Sequence, residues 1–289
     1  MSFLRTSHIC ALAACLAVTV ARPAGGEAPA DVTAFLGRIG AYVERYYATA
    51  QRVVAVEAVT IQPLRRDLTS TEFARQLEYD LRVEWTPGEA GQPGEAQVRR
   101  TLLKVNGRAP RPKDKPGCLD PRPVSPEPLA MFLPAQQADY AFSKPRPSRV
   151  GGRRVTRLEY RPLTAGPIEV SWKEDCVSVD LPGRWRGQVW ADETTGEILR
   201  VDEFLVGRHD ITVPDKQQRN WGVPTLTLER SASSIRYKPV RFQNPEEVVL
   251  MPAEIESVTA WSTGTPHLRV RQVFSNYRRF ITDGRILEE

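Results

Sequence analysis

The sequence predicts an α+β protein: a long N-terminal amphipathic helix packed on a large curved antiparallel sheet, in the manner of a half-barrel. Three observations predict it. Apolar residues recur at helical spacing over residues 31–54, and about ten later segments alternate apolar and polar side chains. The segments are joined by short Gly-containing turns, with none of the long crossovers that parallel neighbours require. A closed β-barrel is the alternative architecture.

The chain opens on an export signal. Arg5 precedes an apolar run from Ile9 to Val20, and a small, polar, Pro/Gly-containing stretch follows. Residues 1–21 form the signal peptide, with cleavage expected after Ala21 or as late as about residue 30. Leu12-Ala13-Ala14-Cys15 has the form of a lipobox, which would anchor the protein by a lipid on Cys15. The alternative is that Cys15 is one more small residue of the signal core, because the apolar run continues through Leu16 to Val20. The run is shorter than the roughly 20 residues a membrane span needs, so the mature chain is expected to have no transmembrane segment. Residues 31–289 then form a single β-rich domain, periplasmic or extracellular.

The helix is read from Val32, Phe35, Leu36, Ile39, Val43, Tyr46, Ala50, Val53 and Val54, with Arg38, Glu44, Arg45, Gln51 and Arg52 between them. Asp31 is the expected N-cap. Alternation begins weakly in Val54–Ile61 and is plain at Leu77, Tyr79, Leu81, Val83 and Trp85. It returns over residues 101–105, 153–161, 168–172, 177–181, 187–191, 198–206, 225–228, 233–240, 254–261 and 268–280. Asn106-Gly107, Thr195-Gly196 and Thr263-Gly264 mark turns.

Two segments break this rhythm. Residues 87–94 read as an extended hairpin loop. Residues 106–128 carry seven prolines and Cys118, and proline's missing N–H excludes them from a sheet interior. The apolar cluster Leu129–Leu133 follows, expected to dock on the core or to cover an opening. Once the signal is removed only Cys118 and Cys176 remain, 58 positions apart, and in an exported chain we expect them to be bonded to each other.

Composition excludes more than it assigns. The net charge of +5 falls to +4 once Arg5 leaves with the signal, so no polyanion is demanded and no nucleic-acid partner is expected. Adjacent residues on a strand face opposite ways, so His209 and Asp210 cannot easily pair as base and orienter. His267 lies in a turn and is expected to be solvated. Neither histidine has a neighbour at metal-ligand spacing, and no cofactor fingerprint is present. The acidic doublets and the arginine doublets 65–66, 99–100, 153–154 and 278–279 read as solvated, with contact to anionic lipid headgroups as the lesser reading for the arginines. The six tryptophans fit a thick core or the wall of a lipid cavity, and the sequence does not separate the two.

The exported start, the helix running into Tyr46–Glu57, the strand–turn–strand from Gly187 to Arg200 and the closing Tyr277-Arg278-Arg279-Phe280 resemble a group of uncharacterised bacterial exported proteins. Their layout is similar to the periplasmic lipoprotein carriers and outer-membrane acceptors, the LolA/LolB-like half-barrels. That resemblance implies a half-open barrel that wraps acyl chains beneath a helical lid, and it carries over no individual functional residue. The expected function is therefore non-enzymatic: an exported cell-envelope protein binding a lipid, acyl chain or other apolar ligand. Phe35, Ile39, Leu77, Tyr79, Leu81, Trp85, Val189 and Phe204 would line the cavity, with Met131 and Phe132 on its cover. An envelope protein–protein interaction module with a solid core is the alternative, and a hydrolase of unrecognised type a third. A contiguous cavity of at least about 300 Å³ favours the ligand; a close-packed interior favours the partner.

Overall fold

In the computed structural model the described residues are 31–49, 52–71, 73–86, 95–114, 117–120, 129–173, 176–243, 246–262 and 267–279. The export signal, Cys15, the 87–94 loop and the later part of the proline-rich segment lie outside them.

Helix α1 spans Val32–Thr49. Asp31 caps it, its side-chain oxygen accepting the Thr33 N–H at 3.0 Å. Its apolar stripe of Phe35, Leu36, Ile39, Tyr42, Val43 and Tyr46 is buried. The helix ends five residues before Val54, where the spacing placed its end, because the β-branched pair Val53-Val54 enters a strand and gains ladder hydrogen bonds on both sides. Strand β1 is Arg52–Leu64, β2 Arg75–Thr86 and β3 Glu95–Val105. Two single-turn 3-10 helices follow, at Ala130–Phe132 and Gln137–Asp139. The later strands are β4 Tyr140–Phe142, β5 Arg146–Val150, β6 Arg153–Pro162, β7 Glu169–Lys173, β8 Cys176–Asp180, β9 Trp185–Ala191, β10 Ile198–Leu205, β11 His209–Thr212, β12 Thr225–Phe242, β13 Glu247–Trp261 and β14 His267–Arg279. A short helix α2, Asp215–Trp221, closes on Gly222 in the left-handed conformation.

Every strand pair is antiparallel, as the short turns require. The large sheet runs β3-β2-β1-β14-β13-β12-β10-β9-β6-β4, with β11 paired to β12 and β5 to β6, while β7 and β8 form a separate hairpin. It is curved and open: β3 and β4 stand at opposite ends and do not pair, so the closed barrel is not formed. Strands β4 and β5 are absent from the sequence pattern because they are short pieces at the margin of the sheet, and β5 carries a proline that such a position tolerates. Strand β12 unites two expected strands. The polar run Glu229–Ser231 between them continues the ladder with β13 across a bulge.

Register defines an inner face. Leu81, Val53, Phe274, Ile255, Ile235, Val201, Val189 and Leu158 stand on it from β2 across to β6, all buried. Helix α1 and the segment Leu129–Leu133 cover the part formed by β6, β9, β10 and the β12–β13 hairpin, where Phe35, Ile39, Met131, Phe132, Leu158, Val189 and Val201 share one apolar cluster. Cys118 and Cys176 are bonded, which ties the proline-rich segment to the β7–β8 hairpin.

Candidate functional site

The cover is held by close backbone approaches. Gly196, in the β9–β10 turn, has φ +73°, and a Cβ there would stand 2.4 Å from the Arg38 carbonyl oxygen of α1. Arg38 Nε donates to the Glu193 carbonyl of the same turn at 2.7 Å. On the other flank Gln137 Nε2 donates to the Leu36 and Phe132 carbonyls at 3.2 and 2.8 Å, next to Gly40. The turn and the cover segment thus clamp the helix from two sides. Gly196→Ala combines a steric clash with a left-handed φ that costs a side chain about 1–2 kcal/mol by itself, so a loss of at least about 2 kcal/mol is expected. A urea midpoint equal to the parent's would refute the clamp.

Beneath the cover, one inner row runs Tyr160 (β6), Gly187 (β9), Glu203 (β10), Ser233 (β12) and Ser257 (β13), each opposite the next. Gly187 is required: a Cβ would lie 2.1 Å from Tyr160 Cζ, so the tyrosine ring rests on the glycine and crosses a whole strand. Its hydroxyl donates to Glu203 Oε1 at 3.1 Å. Met131 of the cover, Tyr140, Tyr160, Trp185, Glu203, Ser231 and Ser233 line a half-open pocket of about 220 Å³.

Burial pushes the Glu203 carboxyl above the ordinary range, and the hydrogen bond from Tyr160 opposes that rise. Burial, followed by the charge of Glu203, pushes the phenols of Tyr160 and Tyr140 up as well. The folded protein therefore holds the Glu203 proton more tightly than the unfolded chain does. This group favours the fold at acid pH, and the contribution is lost as pH rises through the shifted value. Glu203→Gln is expected to match the parent's urea midpoint at about pH 3.5 and to exceed it at about pH 7.5. A variant less stable than the parent at neutral pH would contradict this sign.

A second carboxylate lies under the open half of the sheet. Glu57 of β1 is fully buried and accepts from Arg100 Nε of β3 at 2.5 Å and from Gln272 Nε2 of β14 at 2.6 Å. Directly across the ladder from Glu57, Tyr79 of β2 donates to Asp120 at 3.2 Å, and Arg75 pairs with the same oxygen. Burial first, then the Asp120 carboxylate, pushes the Tyr79 phenol up. These contacts lay the proline-rich segment against β2.

The residues named from the sequence do not form one lining. Phe35, Ile39, Val189, Met131 and Phe132 belong to the covered cluster, Leu77 and Tyr79 to a second, and Leu81 and Trp85 to a third. Trp85 reaches the helix through Tyr47, ring centroids 4.7 Å apart. Only Met131 of the ten borders the inner cavity. Phe204 lies on the opposite face: Val201 pairs with Val189, which turns Phe204 outward, into an open groove of about 690 Å³ with Arg161, Arg186 and Gln188. Three further expectations are corrected. His267, the first residue of β14, is buried, its Nδ1 accepting the Trp261 N–H at 3.2 Å. Arg100 is buried rather than solvated, since the doublet 99–100 sends one arginine to each face. Arg279 likewise packs over the Phe242 ring and pairs with Glu247. His209 Nε2 meets the Val206 carbonyl, while Asp210 accepts from Thr227, so the two are not a catalytic pair. Glu203 and Tyr160 are the residues the sequence did not show.

Among the described residues no helix is long and apolar enough to cross a membrane, and no three His, Cys, Asp or Glu side chains are grouped to hold a metal ion. No protein-family model matches the chain, and no curated protein matches it. Among solved structures it is similar to the LolA superfamily protein NE2245 from Nitrosomonas europaea, at 10% identity and a TM-score of 0.35 over 88% of this chain and 97% of that one. It is similar also to a domain from Vibrio parahaemolyticus described as an outer membrane lipoprotein-sorting protein, at 11% identity and a TM-score of 0.41 over 88% and 94%. MucB in complex with MucA(peri) matches at 10% identity and a TM-score of 0.22 over 85% and 94%.

Proposed function

We propose that the chain is an exported, non-enzymatic binding protein of the bacterial cell envelope that holds an amphiphilic ligand, such as an acyl chain with its polar end, between the cover and the inner face of the half-barrel. The observation that carries this reading is the cavity of about 220 Å³ in which Met131 of the cover faces Tyr160, Glu203, Ser231 and Ser233 of the sheet. Cover and sheet do not close fully on each other there, although the same cover is tightly packed around Phe35, Ile39 and Phe132. The volume falls short of the roughly 300 Å³ of a drug-sized site. An acyl chain longer than a few carbons therefore extends beyond this half-open pocket. Release of a signal peptide, with or without a lipid on Cys15, belongs to the same reading.

Lipid extraction and native mass spectrometry of the purified protein, together with uptake of a fluorescent fatty acid, test it. Ser233→Phe, which fills the cavity from β12, is expected to weaken uptake at least about tenfold, or 1.4 kcal/mol, with the melting temperature retained. A protein that carries nothing and takes up nothing fails the test. The second reading, a protein partner, is favoured by the edge of the sheet. Strand β3 ends it over eleven residues with no described strand on its outer side, and such an edge can accept a strand from another chain.

A further inference from the structure

The cavity beneath the cover has an unusual chemistry: one carboxylate among aromatic faces, with no cation. Tyr140 and Tyr160 meet edge to face, with centroids 6.4 Å apart and planes at 71°, so they form two walls of a corner. Trp185 and Glu203 complete the lining. Among the described residues Tyr160 is the hydrogen-bond partner of Glu203, and no arginine or lysine acts on the carboxylate. This stands out in a chain with 40 basic residues, in which sixteen ion pairs among the described residues hold carboxylates elsewhere.

Elementary electrostatics narrows what such a pocket can take. An anion is repelled by Glu203. A divalent metal needs several oxygen ligands, and this pocket offers one carboxylate with two serine hydroxyls. A neutral hydroxyl compound would stack on the rings but leave the carboxylate without a counter-charge, and a buried unpaired charge is costly. An organic cation answers both halves of the lining, because its charge pairs with the carboxylate and its surface lies on the negative faces of aromatic rings.

We propose that this pocket is a binding site for an ammonium head group, with Glu203 as counter-charge and the faces of Tyr140, Tyr160 and Trp185 as its cage. This deepens the reading of the chain as an amphiphile-binding protein and rests on that reading only for the chain attached to the head. Ser231 and Ser233 add acceptors that suit a primary ammonium, and the three rings suit a methylated one.

The test is a calorimetric titration of the full mature protein with choline and with ethanolamine, each against its uncharged counterpart, 3,3-dimethyl-1-butanol for choline and ethylene glycol for ethanolamine. At least one ammonium compound is expected to bind about tenfold or more tightly than its neutral counterpart, the size of a desolvated cation–π contact with its ion pair. Glu203→Gln, expected to fold at least as well as the parent, should abolish that preference. Tyr140→Leu should weaken choline more than ethanolamine. Equal affinity for charged and neutral compounds, or a preference that survives in Glu203→Gln, overturns the proposal. Decyltrimethylammonium against decanol separates the sources: a large gain over choline identifies a lipid-like ligand, and no gain a free small cation. Fatty-acid uptake without ammonium preference would remove the site and leave the binding function standing. Ammonium binding without any chain uptake would do the reverse.

Discussion

Arg100→Met is expected to destabilise the protein by about 3–5 kcal/mol, the range for removing one member of a buried ion pair. The size follows from burial. Glu57 has no exposed surface and the Arg100 side chain is 8% exposed, with Nε 2.5 Å from the carboxylate. Gln272 holds the other oxygen at 2.6 Å but brings no charge. Without the guanidinium, the carboxylate is left buried with only dipoles around it, and an uncompensated buried charge is costly. The partner variant sharpens the test. Glu57→Leu with Arg100→Met removes both charges, fills the space with apolar surface, and is expected to recover most of the stability, since buried pairs replaced together are often neutral or better. Urea unfolding of the two variants at neutral and acid pH measures both expectations. An Arg100→Met midpoint equal to the parent's would show that water reaches Glu57.

The two carboxylates on the inner face, Glu57 and Glu203, also explain where the sequence could be read and where it could not. Alternation located most strands because one face is apolar, and it weakened at two places. In β1 the inner positions run Val53, Ala55, Glu57, Val59 and Ile61, so an acid sits where the pattern wants a hydrophobe. In β10 the inner positions are Val201, Glu203 and Leu205, and the acid there made Phe204 look like the buried residue of the pair. Each break in the pattern was a candidate site, because a carboxyl placed on an inner face is either paired, as Glu57 is, or kept for a ligand. Helix α1 was legible from its stripe and cap, yet its end was not, since Val53 and Val54 suit a helix face by spacing and a strand by branching. The cavity was out of reach: Tyr160, Gly187 and Glu203 lie on three strands separated by turns of their own, and only pairing brings them into one row.

Breaking the bond between Cys118 and Cys176 is expected to destabilise the chain by about 4 kcal/mol, the loop-closure value for a separation of this length. The consequence should be localised as well as global. The β7–β8 hairpin has only two strands, which is marginal by itself in water. It is held to the body by Trp172, Val177 and Val179 packed near Ile211, Val213 and Leu226, and by the edge-to-face contact of Trp172 with Trp221 at 5.7 Å. On the other side of the bond, Asp120 fixes the proline-rich segment to β2 through Tyr79 and Arg75. The disulfide therefore spans from β2, beside one end of the sheet, to a hairpin resting on β11 and β12 near its middle. Cutting it leaves each half with its own small set of contacts. Cys118→Ser with Cys176→Ser should lower the urea midpoint and also quicken amide exchange in β7, β8 and the segment around Asp120, ahead of the core strands β1 and β14. A uniform loss with no early exchange in those segments would mean that the bond acts only on the unfolded chain. Early exchange there, with the core unchanged, would show that it also holds a strap across the open face of the sheet.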